Sequence, residues 1–357
     1  MEKIHLLQQK LPAGLDCAVI TSAPNRHYLT GFASSNGTLV VARDAAFFFT
    51  DSRYTTAARQ AIRGAQVIEE SGNRLENLKA FLHERGYRCI AFEAAHTSVE
   101  QYHALKKALG DFSLDFSGET DRLLLHTLRR KKSAEEVEKI KAAQRITDAC
   151  FAHICTFIRE GMREKDIQLE MDFYMLSHGA DALSFETIVA SGENGAKPHA
   201  VPGDRRVKKG DFITMDFGAV VDFYHSDMTR TVALGEPSAE MVQVYNTVLF
   251  AQNAAIAAAK SGVSCKQVDA VARDIIKNAG YGAYFGHGTG HGVGVEIHEQ
   301  PCFNTTSADV FEAGDVVTVE PGIYLPERFG VRIEDMLYLA GETPVNLTES
   351  EKKLIVL

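Results

Sequence analysis

The sequence predicts an α/β (α+β) protein of two domains, on three observations. Short apolar runs alternate with helix-length amphipathic stretches through the first third of the chain. A basic run followed by a helix-start signal interrupts the pattern near residues 123–133. The length of 357 residues exceeds one ordinary domain and suits two.

Taken in order, Leu15 to Ile20, Thr38 to Ala42 and Ala46 to Phe49 read as strands, being short, apolar and rich in β-branched and aromatic residues. Arg53 to Ile62 reads as a helix and Val67 to Glu69 as a strand. A helix from about Arg74 to Arg85, a strand Cys89 to Phe92 and a helix from about Ser98 to Leu109 complete a unit with enough apolar residues for its own core. The boundary falls where Leu123 to Leu125 passes into Arg-Arg-Lys-Lys at 129–132, which divides the chain into 1–125 and 126–357. Ser133 with Glu136 three residues on forms a capping-box pattern, in which the serine oxygen accepts an orphan amide and the glutamate reaches back. Val137, Ile140, Ile146, Cys150, Ile154 and Phe157 give the helical stripe that follows, and Gly161 ends it. Further helices are expected at about 165–178, 238–260 and 265–278, the last entered by Ser264 with Gln267. Strands are expected at Asp211 to Val220, Phe223 to Leu234, Val316 to Glu320 and Val331 to Leu339.

Composition bounds the function. A 45% hydrophobic and 24% charged chain is ordinary globular material. The net charge of -9 and pI near 5.8 argue against nucleic acid, whose binding needs a surplus of Lys and Arg on some face. Neither a secretory leader, given the acid at position 2 and the missing apolar run, nor a membrane span is expected. The six cysteines show no C-x-x-C pairing, so free thiols and a cytoplasmic location are expected.

Five residues of the second half are candidate ligands for hard divalent cations: Asp216, Asp227, His291, Glu320 and Glu334. Asp216 stands in Thr-Met-Asp-Phe-Gly and Asp227 in Ser-Asp-Met-Thr-Arg-Thr, and their midpoint lies between Val221 and Asp222. A hairpin turning there would set the two carboxylates directly opposite, with Cβ atoms about 4.5–5.5 Å apart. The bland alternative is a pair of acids on a solvated strand face. His291 belongs to a glycine-rich segment that also carries His287 and His298; a structural turn calls for glycines but not for repeated imidazoles. Phosphate cradling is disfavoured because the segment has no Lys and no G-x-x-x-x-G-K-[ST] pattern. Glu320 ends an apolar run before Pro321-Gly322, and Glu334 alternates with Val331 and Ile333, so each carboxylate needs a partner. For Glu334 that partner is either a metal or Arg332. Four carboxylates and one imidazole suit Mn, Co, Fe or Zn, and a cation pair there would support hydrolysis without a covalent intermediate. No G-x-S-x-G elbow is present.

At these residues the chain resembles the proline-specific metallopeptidases of the pita-bread fold, the creatinase, aminopeptidase P and prolidase family. The resemblance spans nearly the whole chain. His287 through Glu299 matches the family signature position by position, and Phe185 to His199, Met215 to Gly218, Ser226 to Thr231, Glu320 to Tyr324 and Val331 to Asp335 match further blocks in family order. It implies an N-terminal creatinase-like α/β domain over 1–125 and a pita-bread catalytic domain over 126–357. It also implies metal-dependent hydrolysis of Xaa-Pro bonds, in dipeptides or at peptide N-termini, by a hydroxide bridging two divalent ions, Mn or Co first and Zn or Fe next. By the same resemblance Asp216 and Asp227 bind one ion, Asp227, His291 and Glu320 the other, and Glu334 bridges. Glu320 doubles as proton shuttle, His199 and His298 position the scissile bond, His287 shapes the proline pocket, and Tyr324 and Arg332 match positions in the substrate pocket or just behind it. A homodimer is implied as well. Phe223 departs from the family, where glycine is usual after the turn aspartate; that touches the turn rather than a ligand. The competing readings are a binding module that has lost its metals, a creatinase-type hydrolase and a methionine aminopeptidase. The intact ligand set opposes the first two, and the N-terminal domain with His287 opposes the third.

Overall fold

The computed structural model describes residues 3–341 and 343–357. The acidic second residue used in reading the N-terminus lies outside them. The chain divides into two compact units, Met1–Arg129 and Arg130–Leu357.

The first unit holds α1 (Lys3–Lys10), β1 (Cys17–Ile20), α2 (Ala23–Thr30), β2 (Thr38–Ala42), β3 (Ala46–Thr50), α3 (Ser52–Ala61), β4 (Gln66–Glu69), α4 (Arg74–Glu84), β5 (Cys89–Phe92), α5 (Val99–Ala108), β6 (Ser113–Asp115) and α6 (Glu119–Leu123). Its strands form one sheet in the order β4-β3-β2-β1-β5-β6, and β2 alone runs antiparallel to its neighbours. Helix α4 starts where Asn73 Oδ1 accepts the Leu75 amide at 3.0 Å, and α5 starts on a full capping box of Ser98 with Gln101. Leu78, Phe81 and Leu82 of α4 then pack on the sheet, with the Phe81 ring 4.8 Å from Phe47 and 4.9 Å from Phe49.

The second unit opens on α7 (Ala134–Phe157) and α8 (Glu164–Ser177). The expected capping box is present: Ser133 Oγ accepts the Glu136 amide at 3.3 Å and Glu136 Oε2 accepts the Ser133 amide at 2.7 Å. The stripe of α7 buries Val137, Ile140, Cys150 and Ile154, while Ile146 and Phe157 lie half-buried at its margin. There follow β7 (Ala182–Leu183), β8 (Ile188–Ser191), β9 (Asp211–Phe217), β10 (Ala219–Val221), β11 (Tyr224–His225), β12 (Met228–Leu234), α9 (Ala239–Ala258) and α10 (Cys265–Asn278). Ser264 does sit at the N-cap of α10, but its side chain makes no capping hydrogen bond. The chain ends in β13 (Gly290–Gly292), β14 (Glu299–Phe303), β15 (Val316–Val319), β16 (Gly322–Leu325), β17 (Phe329–Arg332), β18 (Asp335–Tyr338) and β19 (Val345–Asn346). The sheets are β12-β9-β8, β11-β10-β7, β14-β13-β15-β18-β19 and the pair β16-β17. One large core lies where α9 and α10 pack on them, around Val244, Val248, Val268, Val317 and Ile333.

Three expected strands are broken. Asp211 to Val220 is interrupted at Gly218, where an added Cβ would stand 2.0 Å from the Ser226 carbonyl oxygen, so only glycine lets the chain pass between sheets. Phe223 to Leu234 breaks at Ser226-Asp227, held open by the Ser226 hydroxyl, which accepts the Ala219 amide at 2.9 Å. Val331 to Leu339 breaks at Ile333-Glu334 as the chain leaves β17 for β18. The hairpin register differs as well. Asp222 and Phe223 both adopt positive φ, 49° and 69°, making the two-residue turn. The axis therefore falls between those two residues, and Asp216 pairs with Thr229 rather than facing Asp227.

Candidate active site

The strand breaks and one bulge carry four of the five candidate ligands. Asp227 stands at the gap before β12, Glu320 between β15 and β16, and Glu334 between β17 and β18, while His291 sits at a register shift in β13. Where a ladder is interrupted, a side chain is freed from the regular up-down alternation and can be aimed. The backbone stays anchored: the Glu320 amide donates to Thr289 O at 2.8 Å and the Glu334 amide to Thr229 O at 3.1 Å. Asp216 comes from within β9.

All five line a cavity of about 980 Å³ in the second unit, with His199, His287, His298 and Arg332 around them. Ligand atoms of Asp227, His291 and Glu334 all lie within 4.8 Å of one another. His291 Nε2 is 3.5 Å from Asp227 Oδ2 and 3.4 Å from Glu320 Oε1. Its Nδ1 lies 3.0 Å from Gly292 O, an acceptor only, so the ring proton belongs on Nδ1 and the Nε2 lone pair faces the carboxylates. Burial lowers the His291 pKa and thus favours that neutral form. A lone pair and two carboxylate oxygens converging in this way call for a cation between them.

The carboxylates say the same. Burial, followed by the neighbouring charges of Glu334, Asp216 and Glu320, pushes the Asp227 carboxyl well above its ordinary value. Burial, then Glu320 and Asp216, does likewise to Glu334, and burial raises Glu320. Glu334 Oε2 accepts the Thr229 hydroxyl at 2.7 Å, whereas Glu334 Oε1 and Asp216 Oδ1 are buried without a hydrogen-bond partner among the described residues. Arg332 supplies one positive charge but spends it on Asp216, with Nη2 to Oδ2 at 2.6 Å, so it is not the partner of Glu334. Buried acids in this number, with orphaned oxygens and one nearby guanidinium, fit divalent cations.

Arg332 also donates to Tyr324 Oη at 2.8 Å and to Thr229 Oγ1 at 3.0 Å. Tyr324 Oη lies 2.8 Å from His287 Nε2, and His287 Nδ1 lies 2.8 Å from Gly288 O. Proton directions follow from the acceptor-only carbonyl: Nδ1–H of His287 donates to Gly288, Nε2 accepts from Tyr324, and Tyr324 accepts from Arg332. Both ring nitrogens of His287 are therefore used, and the ring offers the cavity only carbon and π surface. Burial lowers the His287 pKa and pushes the Tyr324 hydroxyl up to about 12, so the chain of bonds holds its neutral rings. Tyr324 is 7% exposed, and its hydroxyl is committed to His287 and Arg332. The His298 ring packs edge-on against His291 at 4.4 Å, and His199, in the segment after β8, is exposed.

Sequence reasoning missed two threonines that hold the ligands. Thr229 bridges Glu334 and Arg332, and the Thr318 hydroxyl donates to Glu320 Oε1 at 3.3 Å while accepting the His291 amide at 3.2 Å. The signal for Thr229 was its place two residues after Asp227, and for Thr318 its place two residues before Glu320.

Comparison with known proteins identifies the lineage of this geometry. Residues 138–340 match the model of Metallopeptidase family M24, and residues 5–124 match the Creatinase/Prolidase N-terminal domain. The chain belongs to metallopeptidase family M24. Over 357 residues it is 41% identical to "Uncharacterized peptidase YqhT" of Bacillus subtilis (strain 168), covering 100% of this chain and 99% of that one. Among solved structures it is similar to an Xaa-Pro dipeptidase from Bacillus anthracis, at 38% identity and TM-score 0.93, covering 100% of this chain and 98% of that one. It is also similar to an X-Pro aminopeptidase from Thermotoga maritima MSB8, at 35% identity and TM-score 0.91 over 98% and 99% of the two chains. A prolidase from Pyrococcus horikoshii OT3 follows at 31% identity and TM-score 0.90, covering 99% of each chain. The chain is thus a metallopeptidase with the two-domain α/β organisation of M24 proteins, and proteins named as a dipeptidase and as an aminopeptidase share its fold.

Proposed function

We propose that the chain hydrolyses Xaa-Pro peptide bonds, in dipeptides or at the N-terminus of longer peptides, with two divalent ions as cofactor and Mn or Co as the first candidates. The observation that carries this reading is the convergence of the His291 lone pair with the Asp227 and Glu320 carboxylates, beside two buried oxygens that lack partners. Asp216, Asp227, His291, Glu320 and Glu334 would hold the ions. Divalent ions bound there supply Lewis acidity and stabilise the negative charge that develops on the scissile carbonyl oxygen.

The chain's own residues do the rest. Glu320, whose carboxyl burial already raises, takes the proton of the attacking water and returns it to the proline nitrogen as the bond breaks. His298 and His199, which line the same cavity, hold the substrate carbonyls by hydrogen bonds. His287, with both nitrogens committed, presents an apolar face against which a pyrrolidine ring packs. An Xaa-Pro bond has no amide hydrogen, so recognition by ring contact and carbonyl polarisation replaces the extended-backbone pairing general peptidases use.

The reading extends to a cytoplasmic homodimer acting on peptides and not on nucleic acid or membrane. The six cysteines are unpaired, and no helix of the described residues is long and apolar enough to cross a membrane. Leu169, Phe173 and Leu176 of α8 expose an apolar stripe that a second subunit would cover; sizing chromatography with light scattering reads this directly. The activity is tested by offering an Xaa-Pro dipeptide, an Xaa-Pro-Xaa tripeptide and an Xaa-Ala control to the Mn- and Co-loaded protein. Cleavage confined to the proline substrates is expected; equal cleavage of the Xaa-Ala control would overturn it.

A further inference from the structure

The first unit contains a cavity of about 450 Å³ that the peptidase reaction does not use. Its position follows from topology. From β1 the chain builds outward through β2, β3 and β4 on one side, then crosses back to lay β5 and β6 on the other, so the strand order reverses between β1 and β5. β1, β3, β4 and β5 run parallel, and the cavity is lined by residues at or just beyond their carboxyl ends: Thr21, Phe49, Glu70 and Phe92. Open α/β sheets take ligands in the crevice at such a switch point, because the strand ends diverge there and leave space between the flanking helices.

The lining is built for charge. Arg26, on α2, is 4% exposed, and its guanidinium donates to the carbonyls of Gly37 and of Ser34, the latter at 2.8 Å. It forms no ion pair with a carboxylate among the described residues, and its Nε is buried without a partner. The neighbouring Glu93 is taken up by the Thr21 and Ser22 amides at 2.6 and 2.8 Å, by the Ser22 hydroxyl at 2.6 Å and by Asn25 Nδ2 at 2.7 Å. The same lining includes the Glu70 carboxylate, paired with Arg74 Nε at 3.0 Å, and Asn36, whose Oδ1 is buried and unpartnered. Val19, Leu78 and Leu105 add apolar wall. The Glu93 charge acts on Arg26 without an ion-pair contact, and the guanidinium shares a cavity with a carboxylate, an orphan acceptor and hydrocarbon.

We propose that this crevice binds a small α-amino acid with an apolar side chain. Arg26 takes the carboxylate, Glu70 and Asn36 Oδ1 take the ammonium, and the wall of Val19, Leu78, Leu105 and Phe92 takes the side chain. The site is separate from the peptidase cavity, whose lining residues all belong to the second unit.

The test is methyl NMR of the full-length, metal-loaded protein, labelled at Leu and Val and titrated with leucine, N-acetyl-leucine and leucinamide. Saturable shifts at Val19, Leu78 and Leu105 with an affinity of about 1 mM or tighter are expected for leucine. Removing the ammonium or the carboxylate should each weaken binding roughly tenfold or more, the worth of a hydrogen bond to a charged group. Arg26→Gln should abolish the shifts. Because Arg26 also ties two carbonyls of the unit, Ala104→Trp, which narrows the crevice from an exposed position on α5, provides a variant that leaves those bonds intact, and it too should abolish them. Absence of saturable shifts at these methyls, shifts only at Leu183 in the peptidase cavity, or equal response to all three compounds would overturn the proposal.

Discussion

Glu334 and Asp335 are consecutive, equally buried at 1% and 0% exposure, and chemically near-identical, yet the protein treats them in opposite ways. Asp335 is matched within the chain: Arg230 and Lys352 each lie 2.7 Å away, and Asn346 Nδ2 donates to it at 2.8 Å. Although burial pushes its carboxyl up, Arg230 and Lys352 hold it below the ordinary value. Glu334 has one hydroxyl and one orphan oxygen, and its carboxyl is pushed the other way. The break between β17 and β18 points the two side chains to different places. A carboxylate supplied with protein cations holds the fold; one left short of them awaits a cation from outside.

Four substitutions sharpen or break this contrast. Asp335→Ala strands the buried Arg230 guanidinium and should cost about 3–5 kcal/mol of stability, read as a lowered urea midpoint of the second unit. Glu334→Gln should leave the metal-free protein as stable as before or more so, while kcat/KM on an Xaa-Pro dipeptide falls by about 10²–10³. If Glu334→Gln unfolds the protein as Asp335→Ala does, the distinction between the neighbours is lost. Thr229→Val removes the hydroxyl that steadies Glu334 and Arg332 and should weaken metal affinity about 10–100-fold, measured by competition with a chelator. The smallest effect belongs to Phe223→Gly. Relieving a non-glycine residue at φ 69° should gain roughly 1 kcal/mol with unchanged metal affinity, since the turn lies apart from the ligands.

The same contrast marks what was legible in the sequence. The alternation of Val331 and Ile333 against Arg332 and Glu334 held: all four are buried, the first two in the apolar core and the other two against the cavity. The break after Arg332 was not legible, since nothing local distinguishes a chain that changes sheets from one that continues. The hairpin axis missed by one residue because Asp222-Phe223 carries no Asn-Gly signal, and that shift moved the pairing of Asp216 by two residues, from Asp227 to Thr229. Both aspartates still reach one cavity, Asp216 from within β9 and Asp227 from the break before β12. The bonds of the Tyr324 hydroxyl to His287 and Arg332 are a matter of packing that spacing does not encode.

The central claim is that the unsatisfied oxygens of the second unit are completed by divalent cations and that hydrolysis of Xaa-Pro bonds depends on this. The direct measurement is Xaa-Pro dipeptide and tripeptide turnover by chelator-stripped protein, before and after titration with Mn or Co, with bound metal quantified on the same samples. Activity absent from the stripped protein and rising with bound metal is the predicted result. Full turnover by the stripped protein, or none on any Xaa-Pro substrate once metal is bound, would contradict the account.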